Sequence, residues 1–362
     1  MRNQNQTKHK QHVFGFVLLL AAIVALGVAL YLINAGGDEA SDQPASTTAT
    51  TQSGTATRKV LEDSSREDIG IATSVVWNGQ RYRKRANQDL CLLIGYDTET
   101  HVDDQRYKGG LADFLVLVVI DYNGRTVNLL QIDRDTMVRM KTYDNFGQRS
   151  GSKVYQLCIA HYFLATPAVK AANTREAVES LLNLQINVTA SMGLTSIKAL
   201  TDGIGGVTVT VRDDMTGLGE EFESFEQGAT VTLTGDMTER YVRARKGITE
   251  GSNVSRMMRQ RDFIDGFISQ VKARIREDSG YLKKLDTLLK ENILMTSTSN
   301  YGWGWIYTTL NKIDSQDFTI SEPVMLNKNG SEARNAKNNR EFYLNDDEVI
   351  EWVLATLYQP EK

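Results

Sequence analysis

The longest apolar stretch of the chain covers residues 13–33 and contains no charged residue. At a rise of about 1.5 Å per residue, a helix of this length crosses a bilayer. Arg2, Lys8 and Lys10 precede the stretch and acidic residues follow it, so the positive-inside rule places the N-terminus in the cytoplasm. The pattern therefore predicts one transmembrane helix with an extracytoplasmic domain behind it. A cleaved signal peptide is the competing interpretation, but its apolar core is usually shorter, about 7 to 15 residues.

The stretch after this helix is polar and has no large apolar side chain. Such a composition cannot bury a core and predicts a flexible tether. The chain is accordingly divided into a cytoplasmic tail (1–12), the transmembrane helix (13–33), the tether (34–58), a main folded domain (59–275) and a C-terminal extension of unknown role (276–362).

Short apolar runs bounded by turn residues predict the strands of the folded part. The runs at 89–95, 113–121 and 126–132 have the length and composition of buried strands, and alternation predicts two more at 186–192 and 207–211. Asn-Gly at positions 78 and 79 predicts a hairpin that opens the domain.

Helical spacing follows several of these strands. We predict helices at 153–165, 173–184, 195–202, 280–292 and 345–358. Asn173 and Glu176 are spaced as a capping box for the second of them. Strands interleaved with helices predict an α/β (α+β) fold, in which a mixed central sheet is covered by helices on both faces.

The Asn123-Gly124 pair lies between two apolar runs and predicts a two-residue type I′ turn. Pairing outward from that turn makes Asp113 face Arg134 at the far end of the hairpin. A cross-strand salt bridge that only stabilises the hairpin is an equally good interpretation of this pair. Asp97, at the end of its own strand, joins the same rim if that strand runs parallel to 126–132. Two carboxylates beside arginines are an arrangement that suits Mg²⁺ and phosphate.

A second group of charges lies between residues 240 and 261, where seven basic residues accompany one acid, Glu250, in a protein of net charge −4. Residues 241–245 alternate as a strand does, which predicts that Arg243 and Arg245 share a face.

A helix is predicted to start near Ser252 or Asn253, with Arg256, Arg259 and Gln260 in its first turns. Cations at a helix N-terminus oppose the macrodipole unless an anion binds between them. The basic stretch therefore predicts an oxyanion site for phosphate, and a solvated charged face is the alternative.

The overall charge and the few cysteines exclude some classes of protein. A net charge of −4 argues against bulk nucleic-acid binding. Cys91 and Cys158 are the only cysteines, which excludes a disulfide framework and predicts two buried, unpaired thiols, with a single bridge between them as the alternative. His161 is interpreted as a core residue of a helix rather than a ligand.

Six ordered motifs between Asp89 and Gln270 resemble the LytR-CpsA-Psr family of membrane-anchored cell-envelope enzymes. They read LLIGYDTE, ADFLVLVVID, LQIDRDTM, GIGGVTVTV, LTGDMTERYVRARKG and NVSRMMRQRDF. The resemblance implies that 59–275 is a catalytic domain. It also implies a transferase that moves an anionic glycopolymer, such as a teichoic acid or a capsule, from a polyprenyl-pyrophosphate carrier to peptidoglycan as a phosphodiester.

The same resemblance implies roles for individual residues. Asp97 and Asp113 match acids near Mg²⁺ (or Mn²⁺), and Asp135 matches an acid that orients an arginine. The pyrophosphate-binding residues are matched by Arg134, Arg243, Arg245, Arg256 and Gln260, and Asp97, Asp113, Arg134 and Arg256 are expected to be catalytic. Leu111 stands where the usual motif has an arginine, and Asn253 where many members have an aspartate. Two alternatives remain: a lipid-pyrophosphate phosphatase, and a non-catalytic surface module that binds lipid-linked glycans or regulates them.

Overall fold

The structure is a computed structural model. It describes residues 69–361 except 99–109, 145, 164, 245–247, 249–252, 279, 298–301, 317, 322 and 338. The predicted tail, transmembrane helix and tether, and also Arg245, lie outside the described residues. Arg243, Arg256 and Gln260 are described in their backbone only. Among the described helices, none combines the length and the apolar character needed to cross a bilayer.

The strands of the described residues are numbered in chain order. They are β1 (Ser74–Trp77), β2 (Gln80–Lys84), β3 (Gln88–Tyr96), β4 (Ala112–Asp121), β5 (Thr126–Gln131), β6 (Met137–Tyr143), β7 (Arg149–Gln156), β8 (Val188–Met192), β9 (Val207–Thr210), β10 (Thr230–Leu233), β11 (Leu294–Ser297), β12 (Thr319–Ile320), β13 (Val324–Met325), β14 (Ser331–Arg334), β15 (Arg340–Tyr343) and β16 (Tyr358–Pro360).

The α-helices of the described part are numbered in the same way. They are α1 (Pro167–Leu182), α2 (Leu194–Gly203), α3 (Gly235–Arg243), α4 (Asn253–Glu277), α5 (Tyr281–Asn292), α6 (Trp303–Ser315) and α7 (Asp346–Leu357).

A mixed sheet forms the centre of the molecule, in the order β11–β8–β3–β4–β5–β12, with β13 also pairing with β5. Strand β4 is antiparallel to both of its neighbours, so β3 and β5 run in the same direction. Strand β8 is parallel to β3. Three strands from beyond residue 276 extend this sheet at its two edges, β11 next to β8 and β12 and β13 next to β5.

Each face of the sheet is covered by its own apolar core. Alternating residues of β3 point to opposite faces, so Cys91 and Leu93 belong to one core and Leu92 and Ile94 to the other. Helices α1 and α7 pack on the second face, and α2 to α6 on the first. All of β4 is buried, as expected for a central strand covered on both sides. The predicted mixed sheet with helices on both faces is confirmed.

The β4–β5 hairpin has the predicted register but a different turn. Asp121 pairs with Thr126 and Val116 with Gln131, as the sequence predicted. The turn, however, has four residues, with positive φ at Arg125 rather than at Asn123 and Gly124. The type I′ prediction is therefore wrong. A longer loop centred on the same pair leaves the register unchanged.

The side chain of Asp121 explains the conformation of this turn. Its Oδ1 accepts hydrogen bonds from the backbone N–H groups of Asn123, at 3.0 Å, and Gly124, at 2.8 Å. These contacts form an Asx turn and satisfy two loop donors.

The hairpin predicted at Asn78-Gly79 is confirmed. These two residues connect β1 and β2, and both have positive φ, 48° at Asn78 and 76° at Gly79.

The predicted helix at 153–165 is wrong. Residues up to Gln156 belong to β7, which pairs with β6 in a separate two-stranded hairpin, and only 157–161 form a short 3-10 helix. This pairing with the preceding strand overrides the local helical spacing. Helix α1 also begins earlier than the capping box at Asn173 predicted, with Thr166 as its N-cap. Asn173 lies inside the helix, where its side-chain amide donates to Ala160 O at 2.6 Å.

The predicted strand at 241–245 is wrong as well. Residues up to Arg243 belong to helix α3. Tyr241 and Val242 are both buried, and adjacent residues of a strand would project to opposite faces. Arg243 is therefore the last residue of a helix. The start of α4 at Asn253 agrees with the prediction.

Candidate active site

Three strand ends meet at one edge of the central sheet. Because β3 and β5 run in the same direction and β4 in the opposite one, the end of β3, the start of β4 and the end of β5 coincide. Asp97 follows β3, Asp113 is the second residue of β4, and Arg134 follows β5. The parallel arrangement on which the inclusion of Asp97 depended is confirmed.

Asp97 is held by the backbone that leads into β4. Its Oδ1 accepts the N–H of Leu111 at 2.6 Å, and its own N–H donates to Leu111 O at 3.1 Å. The Asp97 side chain is partly exposed. One carboxylate at this edge is therefore fixed in place and still open to solvent.

Asp113 and Arg134 are in direct contact. The Arg134 guanidinium donates through Nη1 to Asp113 Oδ1. The ladder supports this contact, since Ile132 N donates to Leu115 O at 2.9 Å and so continues the hairpin beyond β5. The predicted pairing of these two residues is confirmed.

Asp135 contacts the other side of Arg134. Its Oδ1 lies 3.4 Å from Arg134 Nε, and the same oxygen accepts from Gln156 Nε2 at 3.1 Å. Burial raises the pKa of Asp135, while the charge of Arg134 lowers it and that of Asp133 raises it. Burial lowers the pKa of Arg134, but the interactions with Cys158, Asp113 and Asp135 raise it. The net effect is a pKa above the ordinary value for arginine. Arg134 is thus a permanent cation between two carboxylates.

Arg340 is a member of this site that the sequence did not reveal. Its Nη1 lies 2.5 Å from Asp133 Oδ2 and 3.3 Å from Asp135 Oδ2, and its Nη2 lies 2.6 Å from Glu332 Oε1. The contact with Asp135 spans 205 positions of the chain. No local pattern in the sequence signals such a partner.

Cys158 lies behind these charges as a buried thiol. Its N–H donates to Arg134 O at 3.0 Å. Burial raises the pKa of Cys158 to about 12, although Arg134 opposes this shift. Cys91 is buried too, and neither cysteine forms a disulfide, which confirms the two unpaired thiols.

His161 occupies the core next to the site. Its ring stacks on Tyr96 with 4.5 Å between centroids, and its Nδ1 lies 3.1 Å from Gly110 O. Since a carbonyl only accepts, Nδ1 carries the proton. Burial lowers the pKa of His161 to about 3, and the charge of Lys170 adds to this effect. The interpretation of His161 as a core residue is confirmed.

Arg259 does not take part in an anion site, contrary to the prediction for the first turns of α4. Its side chain has no exposed surface and forms an ion pair with Asp213. It also donates to the carbonyl oxygens of Tyr241, at 3.3 Å, and Ala244. Arg259 thereby satisfies carbonyl groups at the C-terminal end of α3 and ties α4 to it. For Arg259, the positive charge near the helix N-terminus is balanced by the carboxylate of Asp213.

The structure brings Asp97, Asp113 and Arg134 to one edge. Arg243 ends α3, and Arg256 and Gln260 lie in the first two turns of α4. Their side chains and the whole of Arg245 lie outside the description, so a common pyrophosphate site for these residues stays a prediction.

The metal prediction rests on two carboxylates. Within the described ranges, no group of three or more His, Cys, Asp or Glu side chains is arranged to hold a metal ion. Mg²⁺ keeps several waters and is usually bound through one or two carboxylates together with substrate phosphates. The carboxylates of Asp97 and Asp113 are hard oxygen donors at the edge where Arg134 lies, which is the chemistry that this mode requires, and a Mg²⁺ site there stays a prediction.

Comparison with known proteins identifies similar chains. A model described as the LytR_cpsA_psr family matches residues 46–346. The polyisoprenyl-teichoic acid–peptidoglycan teichoic acid transferase TagU of Enterococcus faecalis is 28% identical over 180 residues, 50% of this chain and 52% of TagU. Biofilm regulatory protein A of Streptococcus mutans is 26% identical over 219 residues, 58% of this chain and 50% of that protein. The chain thus spans about half the length of these relatives.

The fold has counterparts among solved structures. The crystal structure of Bacillus subtilis TagV aligns with a TM-score of 0.52 at 19% identity, over 76% of this chain and 98% of TagV. At this identity the likeness concerns the fold alone.

Proposed function

Because the chain belongs to the LytR_cpsA_psr family, we propose that it transfers an anionic glycopolymer from a polyprenyl-pyrophosphate carrier to peptidoglycan. The observation that carries this proposal is the contact of Arg134 with buried Asp113, at the sheet edge that also holds Asp97. The name of the TagU relative, a transferase of teichoic acid between polyisoprenyl-teichoic acid and peptidoglycan, supports the same substrates.

The proposed location is the cell membrane. Residues 13–33 would anchor the chain as a single span, with the N-terminus in the cytoplasm and the folded domain outside. This places the domain on the side of peptidoglycan and leaves no role for nucleic acid.

In the proposed reaction, a peptidoglycan hydroxyl attacks the phosphorus that bears the glycopolymer. A bond forms from that oxygen to phosphorus, the bond to the bridging oxygen breaks, and polyprenyl phosphate leaves. The hydroxyl proton passes to a carboxylate, and Asp97 is better suited than Asp113 because its side chain is partly exposed whereas that of Asp113 is buried.

Phosphoryl transfer asks the protein chiefly for positioning and charge neutralisation. Arginine suits this task, since its planar fork binds two phosphate oxygens and stays charged. We assign pyrophosphate binding to Arg134, Arg243, Arg245 and Arg256, with Gln260 as a neighbouring polar contact. Asp97 and Asp113 would hold Mg²⁺ or Mn²⁺, which supplies further positive charge when bound.

The test uses the full-length protein in detergent with a short lipid-pyrophosphate-linked glycan and peptidoglycan oligomers, with and without Mg²⁺. We expect joined product, and a loss of about 100-fold or more in rate for Arg134→Ala or Arg256→Ala. Arg334→Ala, at an exposed arginine of β14, is the matched control and should keep the wild-type rate. Joined product that survives both Arg134→Ala and Arg256→Ala would refute this site.

Product analysis separates the alternatives. A lipid-pyrophosphate phosphatase would release free polymer phosphate and leave peptidoglycan unmodified. A non-catalytic binding or regulatory module is the second candidate, and the name of one relative, Biofilm regulatory protein A, supports it. If the protein is such a module, Arg134→Ala should weaken ligand binding, and neither the wild-type protein nor the variant should show turnover.

A further inference from the structure

The charges around Arg134 do not by themselves favour a phosphate. Arg134 contacts Asp113 and lies 3.4 Å from Asp135, so two carboxylates already compete for one guanidinium. Asp133 adds a third negative charge, and its Oδ1 accepts the N–H of Asp135 at 2.9 Å. An incoming phosphate must share Arg134 with these groups.

Arg340 supplies the second cation of this cluster. It pairs with Asp133 at 2.5 Å and reaches Asp135 Oδ2 at 3.3 Å. Asp135 is therefore divided between two arginines, with Oδ1 toward Arg134 and Oδ2 toward Arg340. The side chains are largely shielded from solvent, with exposures of 32% for Arg340, 18% for Asp133 and 14% for Asp135, so screening weakens their attraction only in part.

The backbone fixes Arg340 in this position. Arg340 O accepts from Gln156 Nε2 at 2.7 Å, and Phe342 N donates to Asp135 O at 3.0 Å. Phe342 also forms a parallel bridge with Thr136, and the Arg340 guanidinium lies over the Phe342 ring at 5.2 Å. Strand β15 is thus attached to the segment that carries Arg134.

We propose that Arg340 is a positioning residue that keeps Arg134 available to the pyrophosphate of the substrate, by neutralising Asp133 and Asp135. This inference rests on the proposed function and assigns to it a residue from the C-terminal extension. Arg340 acts through the two aspartates and needs no contact with substrate.

The experiment titrates inorganic pyrophosphate with Mg²⁺ into the full-length protein by calorimetry and measures KM and kcat for transfer. For Arg340→Gln we expect about a 10-fold rise in both the pyrophosphate Kd and KM, with kcat less affected. Arg340→Lys keeps the charge but loses the planar fork, so its Kd and KM should lie between those of wild type and of Arg340→Gln. Arg340→Gln combined with Asp133→Asn removes the surplus carboxylate and should restore affinity to within about threefold.

Arg334→Gln is the control, because Arg334 is an exposed arginine that faces Arg340 across the β14–β15 ladder. Unfolding temperatures are measured for every variant. A purely structural role predicts that the double variant is destabilised further and does not regain affinity, and this result would overturn the inference. If Arg340→Gln binds pyrophosphate with wild-type affinity, the inference about Arg340 is overturned and the proposed function stands. If the wild-type protein neither binds pyrophosphate nor forms joined product, both the inference and the proposed function are overturned.

Discussion

At the scale of residues, Asp113 and Arg134 form a largely buried ion pair at the sheet edge, and each charge depends on the other for its stability. The Asp113 side chain has no exposed surface and that of Arg134 has 15%. Removing one partner of a buried pair typically costs about 3–5 kcal/mol, because the other charge stays buried without it. Loss of activity in Arg134→Ala must therefore be compared with its free energy of unfolding, and Arg134→Lys, which keeps the charge, is a useful companion.

His161 shows how burial fixes a protonation state. The folded pKa of about 3 lies below the ordinary value of 6.5, so the unfolded chain binds the proton more tightly between these values. The contribution of neutral His161 to the free energy of unfolding is therefore fully present above pH 6.5 and declines as the pH falls toward 3. The slope is on the order of 1.4 kcal/mol per pH unit for this residue.

The corresponding prediction concerns His161→Gln, which has no group that titrates in this range. Between pH 6.5 and 5, wild type should lose about 2 kcal/mol more free energy of unfolding than the variant. Urea unfolding at several pH values measures the difference. Parallel curves for the two proteins would show that His161 is protonated as easily in the folded state as in the unfolded chain.

At the scale of elements, helix α4 packs against β9 through a glycine. A Cβ at Gly266 would lie 2.3 Å from Thr208 O and 2.9 Å from Val207 Cγ1. Both neighbours belong to the strand, and Thr208 O is a backbone atom that cannot rotate away. The sequence pattern of α4 alone would favour alanine here, because glycine is a poor helix former.

We predict that Gly266→Ala destabilises the protein by about 1–3 kcal/mol, despite the gain in helix propensity, because the helix must move off the strand. Gly304→Ala is the matched control, since Gly304 lies in α6 and a Cβ there meets nothing within 4 Å. That variant should be unchanged or up to about 1 kcal/mol more stable. Thermal unfolding of both proteins checks the contrast, and equal effects would refute the close approach of α4.

At the scale of the whole molecule, residues beyond 276 are part of the central packing. Helix α7 buries Ile350, Val353, Leu354 and Leu357, each at most 4% exposed. The hydroxyl of Tyr358 accepts from Gly70 N at 2.9 Å and donates to Ala72 O at 2.8 Å. The domain boundary at residue 275 stays a prediction, but the segment after it contributes buried residues to both cores.

Deletion of residues 346–362 should therefore prevent folding. The burial of the four aliphatic side chains of α7 stabilises the fold by on the order of 6–12 kcal/mol, comparable with the total stability of about 5–15 kcal/mol usual for a domain. Deletion of Glu361 and Lys362 is the control and should cost about 1 kcal/mol or less, because the Glu361 pair with Arg83 is exposed. Circular dichroism and urea unfolding distinguish the two, and a cooperative transition in the longer deletion would contradict the prediction.

The sequence predicted the parts of this molecule that local rules determine. The register that pairs Asp113 with Arg134 follows from one turn and strict alternation. The β6–β7 hairpin was missed because its stability comes from partners in the other strand. Residues 241–245 are too few to separate a helix from a strand by period. Arg340 was beyond reach, since its aspartates lie about 200 positions away and only the folded chain brings them together.

The burial of both native thiols has a practical consequence for following this protein in solution. Cys91 and Cys158 are the only cysteines of the chain, and burial raises the pKa of each to about 12. Thiol reagents act on the thiolate, so neither residue reacts readily at neutral pH. Asn123 is exposed at the end of β4 opposite to Asp113, and Asn123→Cys would accept a fluorophore there without removing a native cysteine.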